Sequence, residues 1–264
     1  MTSARIIPLC AALLVMACES ITPSSSLVSD DAIEADVLAS AGEAIASALE
    51  AMAGNEAASS LPGSNVRSDL PSLTTSSLDV ERSRTCYDAN DDVVNGCSPL
   101  SAVRKVVTAL TLDGSRSGSH TNSNDVTVNW SGAVHRTLDD TLVRNFTGST
   151  EISRTHSALA TGHDTSTFSG ESFSRVISEA TIDSVNAVTW NVPRANNPFP
   201  ISGSIVRVDS LHVVATREGE TREREAVWTI RVSFPADAQG NVVLQVNDKT
   251  CNLNLVTRAV SNCQ

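Results

Sequence analysis

Aromatic side chains are scarce and unevenly placed. Nine occur in 264 residues, and none precedes Tyr87. The segment from Glu19 to Thr85 therefore brings no ring to a core. It carries eleven acidic residues against three arginines, Arg67, Arg82 and Arg84, the composition of a tether or stalk rather than a packed body. Basic residues are few throughout: 19 Lys and Arg face 30 Asp and Glu, a net charge of −11. That balance argues against nucleic-acid binding, which needs a basic footprint, and against direct attraction to anionic lipid headgroups. No run of eighteen apolar residues is present, so no membrane-spanning helix is expected.

Recognisable chemistry is missing as well. Gly114-Ser115-Arg116-Ser117-Gly118 has the glycines of a nucleophile elbow, but arginine stands at its centre, where serine is required. The five histidines, His120, His135, His156, His163 and His212, form neither His-x-x-x-His nor His-Glu-x-x-His. His156 and His163, with Asp164 nearby, are the minimal metal candidate, set against the plainer expectation of exposed strand and turn histidines. Asp88, Asn90 and Asp92 have the spacing that opens a calcium loop. Val93 then replaces the required glycine and Pro99 the required glutamate, so a polar hairpin turn explains the same residues. No phosphate-binding glycine loop is found, no cofactor is expected, and the chain is not read as an enzyme.

The first residues are more specific. Arg5 and the terminal amine precede an uncharged, mostly apolar segment, Ile6 to Ala17, too short to span a bilayer. It ends in Val15-Met16-Ala17-Cys18. This resembles the lipobox of the bacterial lipoprotein class, a resemblance confined to residues 1–18. It implies cleavage between Ala17 and Cys18, loss of signal peptide 1–17, and lipid on Cys18. Such anchoring uses more than one acyl chain, each buried methylene contributing about 0.8 kcal/mol. The implied location is a bacterial cell envelope, with the membrane as partner through that lipid. Glu19 after the cysteine leans towards an outer membrane where the cell has two.

With Cys10 in the signal and Cys18 lipidated, Cys86, Cys97, Cys251 and Cys263 remain. An even number in an exported chain reads as two disulfides. Cys86–Cys97 and Cys251–Cys263 are favoured, because each pair brackets a plausible hairpin. The alternative is a staple joining the start of the body to its end.

The chain divides into five segments: signal peptide 1–17, tether 18–29, amphipathic helix 30–53, flexible linker 54–82 and β domain 83–264. The helix rests on the stripe Ile33, Val37, Ala41, Ile45, Leu49 and Met52. Two readings compete for it, docking on the body and pairing with a partner. Beyond Ser83 the period is two. Val126, Val128, Trp130 and Val134 alternate with polar residues, as do Trp228, Ile230, Val232 and Phe234. Turn signals at Asp113-Gly114, Asp139-Asp140, Gly162, Glu218-Gly219-Glu220 and Gln239-Gly240-Asn241 divide this region into eight to ten strands. Arg217, Arg222 and Arg224 alternate with the glutamates of residues 218–225, as in an exposed hairpin tip.

The fold class expected is mainly β: a large antiparallel meander, as a curved open sheet, half-barrel or sandwich, with one N-terminal α-helix. Trp130-Ser131-Gly132, Phe146-Thr147-Gly148 and Phe168-Ser169-Gly170 each place an aromatic and a glycine two apart, so a ring can lie over each glycine. The leading functional expectation is a non-catalytic binding or structural body with an unidentified protein partner. The alternative is a carrier whose apolar ligand face is Trp130, Phe146, Phe168, Trp190 and Trp228, and the third reading is an envelope enzyme.

Overall fold

The computed structural model describes residues 41, 42, 45, 48, 49, 52, 76–121, 127–170, 173–196, 198–217 and 219–264. The signal, the tether, most of the expected helix and the first part of the linker, with Ala17 and Cys18, lie outside them.

Ten strands follow one another in sequence and in space: β1 (Ser76–Tyr87), β2 (Lys105–Thr121), β3 (Thr127–Thr147), β4 (Thr150–Ser169), β5 (Phe173–Asn191), β6 (Ser202–Arg217), β7 (Glu220–Ser233), β8 (Asn241–Val246), β9 (Lys249–Asn254) and β10 (Val260–Ser261). Every neighbouring pair is antiparallel, and the order β1 to β10 never closes on itself. The expected meander is therefore one open sheet. β1 begins inside the expected linker, at Ser76 rather than Ser83.

The strands are longer than turn chemistry suggests. β3 has 21 residues and β4 has 20. Asp113-Gly114 lies within β2, Asp139-Asp140 within β3, and Gly162 within β4. These three expected turns are corrected to strand interiors. The other two hold. Gly219, with φ 86°, lies between β6 and β7, and Gly240, with φ 82°, between β7 and β8. At the latter turn the Asp237 carboxylate accepts the amides of Gln239 and Asn241 at 2.9 and 2.8 Å. Gly148 is a hairpin-turn residue at φ 61°, so the Phe146–Gly148 pair does not share a strand face. A missed turn, Asn247-Asp248, joins β8 to β9, with Asn247 at φ 49°.

Alternation gives the sheet an inner and an outer face. On β6, Ile205, Arg207, Asp209, Val213 and Ala215 are buried inward. Cross-strand partners in an antiparallel ladder share a face, so the β5–β6 register places Val185, Asp183, Thr181, Glu179 and Ile177 beside them. The register shifts near the end of β5, between Asn186 and Thr189 against β6, where Ala187 has φ 49°. Such an irregularity reverses the parity of the residues beyond it. Val188 and Trp190 thereby enter the core instead of facing solvent.

The main core occupies one end of the inner face. Val185, Val188, Trp190, Ile205, Ile230, Val232, Leu244 and Leu253 pack there with Ala41, Ile45 and Met52. Residues 41, 42, 45, 48, 49 and 52 have helical backbone. A smaller core joins Cys86, Cys97, Val103, Val106 and Leu142. Each core contains a disulfide cysteine: Cys86 and Cys97 are joined at S–S 2.00 Å, and Cys251 and Cys263 at 2.04 Å. The expected pairing is the one formed. Ile230 is 0% exposed and Val243 is 52% exposed. Ile230→Ala should therefore cost about 2–5 kcal/mol, against about 1 kcal/mol or less for Val243→Ala, read as shifts in the urea unfolding midpoint.

Candidate functional site: a buried charged belt

Beyond the apolar end, the inner face is ionic across β3 to β6. Arg207 is its hub and is 4% exposed. Its Nε donates to Asp209 at 2.6 Å and its Nη2 to Glu179 at 3.4 Å. Its Nη1 lies 3.6 Å from Asp183. The register explains the convergence. Asp183 stands directly opposite Arg207, Thr181 opposite Asp209, and Asp164 opposite Glu179. Arg136 on β3 engages Asp164 on β4 through both Nε and Nη2.

Gly162 makes the second contact possible. It stands between Arg136 and Thr181 in register. A Cβ there would come within 2.5 Å of Thr181 Oγ1 and 3.4 Å of Arg136 Cγ. Gly162 and Asp140, which read as turn formers, are thus inner-face residues of long strands. Gly132, likewise, is opposite Ser166, and its absent Cβ would lie 2.9 Å from the Thr165 carbonyl oxygen. Close backbone packing is what this position reports.

A buried dyad adjoins the belt. His156 Nδ1 is 3.2 Å from Asp140 Oδ1, with both residues buried, and the imidazole meets Trp190 edge-on at 5.8 Å between centroids. His163 lies on the same strand but on the opposite face, exposed. The expected approach of His156 and His163 is therefore corrected: opposite parity on β4 keeps them apart.

Charge balance sets the protonation of the belt. Burial raises the Glu179 carboxyl above its ordinary value, with Arg207 opposing. Burial raises Asp209 too, against the same arginine. Burial works against the Arg207 cation, but Asp183, Asp209 and Glu179 together hold its proton more firmly than usual. Towards the β3–β4 turn the balance reverses. Glu151 is pushed up by burial, yet hydrogen bonds from Arg144 and Arg154 bring it down to about 2. Arg144 meets both of its oxygens, at 3.0 and 2.7 Å, the fork geometry that favours such pairs.

The other sequence candidates are dispersed. Trp190 is in the main core and Trp228 packs against it. Phe168 is buried and paired in register with Trp130, whose side chain lies outside the described part. Phe146 lies 3.9 Å from the guanidinium of Arg104 and 5.2 Å from that of Arg144, a cation–π arrangement. The four aromatics with described side chains thus do not surround one space. A cavity of about 410 Å³ is lined instead by residues of β4 to β7, among them His163, Ser178, Ala180, Ser210, His212 and Val227.

In the calcium candidate, Asp88 Oδ1 accepts the amides of Asn90 and Asp92 at 2.8 and 3.0 Å, as in a side-chain-stabilised turn. At the β6–β7 tip, Arg217 stands opposite Glu220, and His212 bonds Glu223 at 2.6 Å. Among the described residues, no group of three or more His, Cys, Asp or Glu side chains is arranged to enclose a metal ion. Comparison with known proteins finds no matching family model, curated protein or solved structure.

Glu179 and Asp209 bind protons more tightly folded than unfolded. Their contribution to stability is full below the ordinary carboxylate range and is lost as pH rises through their raised native values. Glu151 acts in the opposite sense. Its contribution is present above the ordinary glutamate value, about 4.3, and is lost as pH falls towards about 2. Urea midpoints should therefore rise on acidification from neutral pH and fall again below about pH 4. Glu179→Gln should flatten the rise; an unaltered profile would show that Glu179 does not drive it. Arg207→Ala, which strands three carboxylates, should cost about 3–5 kcal/mol at pH 7. The cost should shrink at pH 5, and lysine should restore little of it, because one ammonium lacks the guanidinium fork.

Proposed function

We propose that the chain is a lipid-anchored cell-envelope protein whose β-rich body has a binding or structural role rather than a catalytic one. The observation that carries the non-catalytic part is the belt itself. Arg207, Asp183, Asp209 and Glu179, with Arg136 and Asp164, bond to one another within the sheet. An active site needs groups that converge on a space a substrate can enter; these converge on each other. The envelope location draws on the lipobox-like Val15-Met16-Ala17-Cys18 and on two disulfides, which persist in oxidising compartments.

In this reading the lipid on Cys18 holds the protein to the membrane. The residues before β1 space the sheet from the bilayer, and helix 30–53 docks by its apolar stripe. The helical backbone and burial of Ala41, Ile45 and Met52 support that docking. They also favour the second reading, in which the helix lids a curved half-barrel that carries an apolar ligand. Solvent extraction of the purified protein and mass spectrometry of the extract separate the two: a stoichiometric lipid other than the Cys18 anchor supports the carrier.

The anchor is tested in the protein expressed in a bacterial host. The mature chain should begin at an acylated Cys18 and fractionate with membranes, and Cys18→Ser should move it to the soluble fraction. An unmodified Cys18 on a soluble wild-type protein would overturn the proposal.

A further inference from the structure

The outer face carries a row of polar side chains independent of the belt. Asp113 on β2, His135 on β3 and His163 on β4 are consecutive partners in the ladder, Asp113 opposite His135 and His135 opposite His163. All three are exposed. Partners of this kind have Cβ atoms about 4.5–5.5 Å apart. The next outer-face pair of the same ladder demonstrates the reach: Thr137 and Thr161 have their hydroxyl oxygens 2.8 Å apart. Asp113 Oδ1 lies 2.5 Å from His135 Nδ1. A carboxylate on Nδ1 fixes the tautomer that leaves Nε2 as a lone-pair donor, the arrangement found behind metal-ligating histidines.

We propose that His135 and His163 form a surface site for a borderline transition-metal dication, Cu²⁺, Ni²⁺ or Zn²⁺, with Asp113 as the positioning residue for His135. Imidazole nitrogens select these ions over Mg²⁺ or Ca²⁺. Two protein ligands leave the remaining coordination positions to water, so the site is open rather than a cage. His163 also lines the 410 Å³ cavity, which puts the open positions beside space for a further ligand. The inference does not depend on the lipid anchor or on the role proposed for the body.

The test is calorimetric titration of the untagged, disulfide-intact chain with CuCl₂, NiCl₂ and ZnCl₂, joined by electron paramagnetic resonance of the Cu²⁺ form. One ion per chain is expected, with Cu²⁺ bound most tightly and two nitrogen donors in its spectrum. His135→Ala and His163→Ala should each weaken binding more than tenfold, and Asp113→Asn about tenfold. His212→Ala, on β6, should leave it unchanged. Circular dichroism checks that each exposed substitution leaves the sheet intact. Wild-type affinity retained in a folded His135→Ala or His163→Ala protein would overturn the proposal, as would the absence of any site in the wild type.

Discussion

The Arg207 guanidinium sets the terms on which this sheet holds together. Buried on β6, it faces carboxylates from β5 and from its own strand. A charge removed from water is tolerated only when opposite charge and hydrogen bonds replace the lost hydration. The replacements must arrive from neighbouring strands in register, because a one-residue slip would turn them to the other face. Asp183, directly opposite Arg207, is such a registered partner. A purely apolar face would tolerate slippage by two residues; this one would lose its pairings. The belt is better understood as specifying alignment than as adding stability, since hydrophobic replacements of buried ion pairs are often neutral or stabilising. Burial raises two of its acids, Glu179 and Asp209, above the ordinary carboxylate range, with Arg207 opposing the rise.

Stability must then come from elsewhere, and the two cores are placed accordingly. The larger lies where β5 to β9 end in Val, Ile and Leu, and the smaller where β1 to β3 meet the Cys86–Cys97 loop. The terminal strands are short, β8 and β9 with six residues and β10 with two, too few to hold an edge by ladder bonds alone. Cys251 joins the last ladder to the residue before the C-terminus, closing a loop whose freedom would otherwise favour the unfolded chain. At the other edge, Cys86 fixes the end of β1 in the same way. The two-residue edge strand β10 limits the pairing with other chains that open sheets invite.

Much of the fold was legible in the sequence. Period-two alternation in β3 and β7 gave strands, short connections gave an antiparallel meander, and bracketing cysteines gave both disulfides. The belt was not legible, and it caused the main error. Gly114, Asp140 and Gly162 have turn chemistry, and a reading that assumes an apolar inner face assigns them to turns; Asp113 and Asp139 are outer-face residues of the same strands. In the fold Asp140 meets His156 inside the sheet, and Gly162 leaves room for Arg136. The inward position of Trp190 was hidden for a different reason. The irregularity near Ala187 reverses strand parity, and alanine carries no signal for a positive φ. His156 and His163 are expected to approach across a hairpin, yet both lie on β4, where an odd separation of seven residues puts them on opposite faces.

The two faces therefore use the same residue types to opposite ends, and burial decides which. Inside, Asp140 and His156 hydrogen-bond to each other with both side chains buried, where the loss of a polar contact is costly. Outside, Asp113 and His135 make the same contact at 2.5 Å with half of each side chain in solvent. There the pair adds little stability, so its geometry is free to serve something other than folding. That difference, and not sequence spacing, separates a histidine that holds the sheet together from one able to meet a ligand.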